Sequence, residues 1–420
     1  MEKNVKLFPF YKLFSYDILF YYAINVIFFS QSKGLSLSEI ALFSTAYSIA
    51  AIVFQIPAAI IAEKLGTKLS MIIGNILCLT WGLNLIISNS FELFIIGEVI
   101  LALGFSLKGV TESPFLLSSL KKLNRADEFA KTESKGSVLY FLIEAIACIA
   151  AGYLYKANEY LPIIFACICC LISTCIAFSF NKINKSAETV SSQKYFSDLK
   201  AGFKYIFKSK RLHALLLFTC VFYGVISSCN VLMKSYFAEF GLSPEGFGYV
   251  YAVFAIFAAL GSKIQNILEK KFKNKTLQFF STTYLFLVIT AGIIAMFNFK
   301  NNVIINAGII LFAIQQIFKG SYRIIIKQYI TRYTTSTIRS KLMSIYYLSE
   351  HLGAAIFTSL ISVLLANFKI GMTCTITGFL LFIIILFVLQ FMESRVGLSP
   401  DKYTTRDRID LLEQTNAEQK

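Results

Sequence analysis

Long apolar stretches alternate with short polar ones along nearly the whole chain. Each is about as long as the roughly 20 residues that a helix needs to cross a hydrocarbon core of about 30 Å. Laid along the sequence, this pattern predicts twelve spans, at residues 9–31, 38–62, 70–89, 91–115, 136–156, 160–180, 212–235, 246–268, 277–298, 302–326, 341–366 and 370–393. Runs this long and continuous point to helices, because the strands of a membrane barrel read as short stretches of alternating polarity. The expected fold class is an all-α membrane protein with twelve transmembrane helices. The first run has no small-residue cleavage site and continues to span length, so it is read as the first helix and not as a removable signal.

Composition agrees with that reading. The 420 residues are 56% hydrophobic and only 15% charged, with a mean hydropathy of +0.65, whereas a soluble domain is about a quarter charged. Charge placement adds an orientation. With the N-terminus inside, 31 of the 40 Lys and Arg residues fall on the cytoplasmic side, and the opposite face holds only Lys33, Lys156, Lys234, Lys300 and Lys369. Both termini are therefore expected in the cytoplasm of a multi-pass plasma-membrane protein. The net charge of +16 is read as this topology signal and as a surface meeting anionic lipid, not as nucleic-acid binding.

The remaining chemistry is sparse. All nine cysteines lie in apolar spans and read as small hydrophobes, and the only histidines are His213 and His351. No phosphate-cradling loop is present. No cofactor, metal centre or catalytic constellation is expected, so the chain reads as no enzyme.

The polar stretch 181–211 divides the chain into six-span halves, 1–180 and 212–393, followed by a polar tail, 394–420. Within that stretch Phe196, Leu199, Phe203 and Phe207 recur at helical spacing among lysines, the pattern of a helix lying on the membrane surface. The halves repeat one another. Gly34-Leu35-Ser36 recurs as Gly241-Leu242-Ser243, Glu63-Lys64 as Glu269-Lys270, Lys108-Gly109 as Lys319-Gly320, and Glu144 as Glu350. Parallel six-helix repeats are the architecture of one large transporter class.

The segment from Gly34 to Ser70 resembles the second helix and following loop of the major facilitator superfamily. Ala59, Glu63, Lys64, Gly66 and Lys68 fall in register on its signature, with Ala59 where Gly is usual, Glu63 where Asp is usual and Thr67 where a basic residue is usual. Arg339 also stands where similar bacterial members carry Arg. The resemblance implies two pseudo-symmetric six-helix bundles and a monomeric secondary transporter of a small molecule. It further implies a cytoplasmic latch, in which Glu63 meets the eleventh helix near Arg339 when that side is shut. The turn is most like that of drug–proton antiporters, although the fifth span lacks the Gly-Pro-rich motif that many of them carry.

Ionisable groups at membrane depth cost about 2.5–3.5 kcal/mol or more and mark function by default. The spans hold Asp17, Glu98, Lys108, Glu112, Glu144, Lys263, Lys319, Arg323 and Glu350. By the resemblance, spans one, four, seven and ten line the cavity, which makes Asp17, Lys108, Glu112, Lys319 and Arg323 candidates to face it. Asn25 and Asn230 are polar candidates on the first and seventh spans, with helix–helix hydrogen bonding as an equal alternative. Asp17 and Glu112 have no acidic counterparts in the other half and are the expected proton carriers. Lys108 with Glu144 and Lys319 with Glu350 read equally well as a salt bridge within each half.

Overall fold

Two glycine turns of the repeat recur as structure. In the computed structural model, which describes residues 1–183, 192–208, 210–272, 275–297, 299–333 and 336–396, Gly34 and Gly241 take φ of +68° and +78°, a region that favours glycine. The serine two residues after each caps a helix. Ser36 accepts from the Glu39 amide while Glu39 reaches back to the Ser36 amide, and Ser243 accepts from Gly246 with Pro244 at the first helical position.

The first half begins with α1 (Glu2–Ser15), followed by the short α2 (Asn25–Ile27) and a π turn over Phe28–Ser32. Five longer helices follow, α3 (Leu37–Leu65), α4 (Thr67–Ile87), α5 (Phe91–Lys121), α6 (Phe129–Ala157) and α7 (Leu161–Ser179). After α8 (Ser192–Lys208) come α9 (Lys210–Glu239), α10 (Pro244–Phe272), α11 (Thr276–Met296), α12 (Asn301–Tyr333), α13 (Ser336–Asn367) and α14 (Ile370–Val396). Among the described residues eleven helices are long and apolar enough to cross a bilayer. Large apolar side chains such as Ile146, Phe286 and Phe387 stand exposed on them, as a lipid-facing surface requires.

The first span is the exception. A single helix over 9–31 is not what forms: α1 starts at Glu2, and Tyr16–Ile24 runs as bends and turns, with Phe20 at φ +65°. The physical reason lies at Asp17, whose carboxylate accepts the Ile18 amide at 2.8 Å and offers the backbone an alternative to the helical bond.

By contact the chain divides into two units, Met1–Phe196 with Leu242–Ala252, and Ser197–Gly241 with Val253–Lys420. In the first, α4 lies along α5 so closely that a Cβ on Gly74 would meet the Gly104 carbonyl, and one on Gly104 the Gly74 carbonyl. Phe8, Tyr11, Met71, Phe115, Leu116 and Phe180 fill the core between α1, α4, α5 and the end of α7. Asn4 pairs with both backbone groups of Asn181, tying α1 to the residues just beyond α7. In the second unit α9 packs on α13 and α14, and α11 on α14. Gly353 comes down on the Cys220 backbone, and Gly261 and Gly320 bring α10 onto α12. Phe203 and Phe207 of α8 are exposed and stacked at 6.4 Å, whereas the side chains of Phe196 and Leu199 lie outside the described residues, as does the tail from residue 397.

Candidate functional site

The break in the first span is where polar side chains of the first unit gather. Tyr22 hydrogen-bonds Asp17, and the charge of Glu144 on α6 and the hydroxyl of Tyr47 on α3 also bear on that tyrosine. One turn before Glu144, Tyr140 is 1% exposed, and Glu144 is the acceptor its hydroxyl faces. Asp17 and Glu144 both act on it electrostatically. The Tyr16 ring lies 4.7 Å from the Tyr140 ring and 5.4 Å from that of Phe141. A carboxylate released from helical geometry thus sits among tyrosine hydroxyls that can stabilise either its charged or its protonated form.

Just before the break, three side chains of α1 hold Glu112 of α5. Tyr11 and Ser15 donate to Oε1, each at 3.0 Å, and Lys12 donates to Oε2 at 2.5 Å. Asn75 of α4 donates to the Tyr11 hydroxyl at 3.3 Å, and Lys12 also stands 3.6 Å from Glu133 of α6. Four helices are tied through one buried ion pair. Lys12, one of the 31 cytoplasmic Lys and Arg of the charge count, is the residue most plainly missed. The available signal was the spacing of Ser15, three residues from Lys12 and four from Tyr11, which brings the three side chains to one side of α1.

Lys108 is 4% exposed. Its stem crosses Gly74 of α4, and its ammonium lies 4.4 Å above the Phe105 ring. The salt bridge to Glu144 that the repeat suggests does not form, because the two residues occupy different helices whose rotation the repeat leaves undetermined. In the second unit Lys319 donates to Asn230 at 3.1 Å. Glu350 is buried, and the Arg323 side chain lies outside the described residues. Asn25 accepts the Val26 amide at 2.9 Å and also bonds Tyr21. Tyr21 stands edge-on to Trp81, whose indole donates to the buried Glu98 at 3.2 Å.

At the signature turn, Ala59 is buried, Glu63 half-buried and Lys64 exposed, while Gly66 separates α3 from α4 at φ +84°. Lys68 donates to the Phe178 and Phe180 carbonyls at 2.8 and 2.6 Å, capping the end of α7. The side chains of Arg339 and Glu269 lie outside the described residues. Among the described residues no three His, Cys, Asp or Glu side chains converge as a metal ion requires.

Known proteins place this arrangement. The family model described as Major Facilitator Superfamily matches residues 13–314 and 230–413. An uncharacterized MFS-type transporter, YxaM of Bacillus subtilis (strain 168), is 26% identical over 268 residues. That match covers 62% of this chain and 65% of the relative, so it spans less than two thirds of the relative's length. Among solved structures, a D-xylose-proton symporter superposes with a TM-score of 0.70 at 13% identity, covering 95% of this chain and 99% of its own. The nucleoside transporter NupG gives 0.64 at 12%, covering 96% and 99%. A POT family transporter in complex with 5-aminolevulinic acid gives 0.67 at 15%, covering 94% and 96%. These identities speak for the shared fold, and the family model for descent: the chain belongs to the major facilitator superfamily.

Proposed function

We propose that the chain is a secondary active transporter that exchanges protons for a small molecule by alternating access, exporting its substrate across the cytoplasmic membrane with both termini inside. Asp17 is the proton carrier. The observation that carries this reading is the placement of Asp17 in the break of the first span, among Tyr22, Tyr140 and Glu144. Irregular backbone at membrane depth is tolerated where it borders a cavity or packed protein, and broken helices are a recurrent setting for coupling ions. Glu112, bound to Lys12, is the second titratable position; a proton there would loosen α1 from α5. The turn at Glu63, Lys64, Gly66 and Lys68, with Arg339, serves as the cytoplasmic latch. One fold neighbour is a D-xylose-proton symporter, which is compatible with this mechanism.

Uptake of an anionic metabolite is the second reading, and Lys108, which has no hydrogen-bond acceptor among the described residues, favours it. The test is substrate-screened transport in proteoliposomes under an imposed pH gradient, with Asp17→Asn and Glu112→Gln. Asp17→Asn is expected to abolish gradient-driven movement while leaving substrate binding in place. Movement that ignores both the gradient and Asp17 would overturn the proposal, and the sign of the gradient that drives accumulation decides between export and uptake.

A further inference from the structure

Lysines 108 and 319 occupy equivalent places in the repeat, each followed by glycine, and the two pairs differ. Lys319 donates to Asn230, and a Cβ on Gly320 would run into the Ala258 carbonyl, so that pair is satisfied and closed. Lys108 finds neither a hydrogen-bond acceptor nor a carboxylate within bonding distance among the described residues, and its ammonium lies over the face of Phe105. Nothing lies within 4 Å of a Cβ built on Gly109.

The charge of Glu112, one turn along α5, bears on Lys108, but no hydrogen bond joins the two. Its Oε1 already accepts from Tyr11 and Ser15 and its Oε2 from Lys12. An ammonium with three donors, 4% exposed in a membrane span, is thereby left without an acceptor. Phe105 and Gly109 are four residues apart and share a helical face, so the ammonium leans over a ring beside which there is open space. A charge kept at this depth is stabilised by a negative group that arrives from outside the chain, and a ring next to it suits an apolar body on the same molecule.

We propose that Lys108 receives the carboxylate of an organic acid, whose apolar or aryl portion packs against Phe105 in the space beside Gly109. This deepens the transport reading, on which it rests, by naming the substrate class. The ammonium supplies charge and hydrogen bonds and is not consumed, since no covalent step is involved.

The test is thermal unfolding of the full-length protein in nanodiscs at constant ionic strength, titrated with acetate, pyruvate, benzoate and indole-3-acetate and with the neutral amide of each. At least one carboxylate is expected to raise the midpoint saturably while its amide does not. Lys108→Gln is expected to weaken that carboxylate at least tenfold, and Lys108→Arg to retain most of it. Gly109→Leu, which fills the space without touching the charge, is expected to weaken the aryl acids more than acetate and serves if Lys108→Gln folds poorly. The proposal is overturned if no carboxylate stabilises the protein, if the amides do so equally, or if both Lys108→Gln and Gly109→Leu bind as the wild type does. Its fate is separable from that of the transport reading. Gradient-driven movement of some solute with no Lys108-dependent carboxylate binding sinks this proposal alone, whereas Lys108-dependent binding without gradient-driven movement sinks the other.

Discussion

The two Lys-Gly pairs of the repeat began as equivalent sequence and ended as different chemistry. In the second unit Lys319 is matched by an amide and Gly320 is used for helix packing. In the first, the carboxylate nearest Lys108 along α5 accepts its hydrogen bonds from Lys12, Tyr11 and Ser15 of α1. Duplication supplies pairs of ionisable groups, and a single added cation at one end of the chain is enough to leave one of them open for a ligand. Symmetry of sequence is therefore a poor guide to which charges are structural.

That contrast breaks most visibly at Lys12. Lys12→Met strands the Glu112 carboxylate in a buried site and is expected to cost about 3–5 kcal/mol, measured as a fall in the thermal midpoint. Lys12→Met combined with Glu112→Leu should cost less than Lys12→Met alone. Next come the glycines. Gly320→Leu drives a side chain into the α10 backbone and should cost about 1–3 kcal/mol, whereas Gly109→Leu should leave unliganded stability within about 0.5 kcal/mol. The lysines should then differ in sign. Lys319→Met removes a hydrogen bond to Asn230 and is expected to destabilise by about 1 kcal/mol, while Lys108→Met removes a buried ammonium that has no hydrogen-bond acceptor and should be neutral or stabilising. Equal losses at both lysines would show that Lys108 is satisfied after all. The smallest effect lies outside the pairs: Lys68→Ala removes the cap on α7 and should cost about 0.3–1 kcal/mol.

Much of the fold was legible because its signals are local. Hydrophobic length marked the spans, and Gly34 and Gly241, each two residues before a capping serine, marked helix starts that the structure repeats. The broken first span was not legible. Pro9 sits inside α1 without interrupting it, while the break from Tyr16 to Ile24 contains neither Pro nor Gly. An aspartate taking its neighbour's amide and a phenylalanine at positive φ did what the usual breakers would have announced. Within the site, Asp17, Lys108, Glu112 and Glu144 stood out as charges at membrane depth. Their partners did not, since pairing depends on helix rotation and on Lys12, whose position near the end of the chain reads as a topology signal.

The bond from Trp81 to Glu98 has a consequence for observing the protein at work. Trp81 is the only tryptophan in the chain, it is 1% exposed, and Tyr21 from the broken segment lies edge-on against it. Indole emission from the untouched protein therefore originates at a single point between the first, third and fourth spans, beside a buried carboxylate. Any rearrangement of the break that carries Tyr21 with it is written into that light without a label having to be attached.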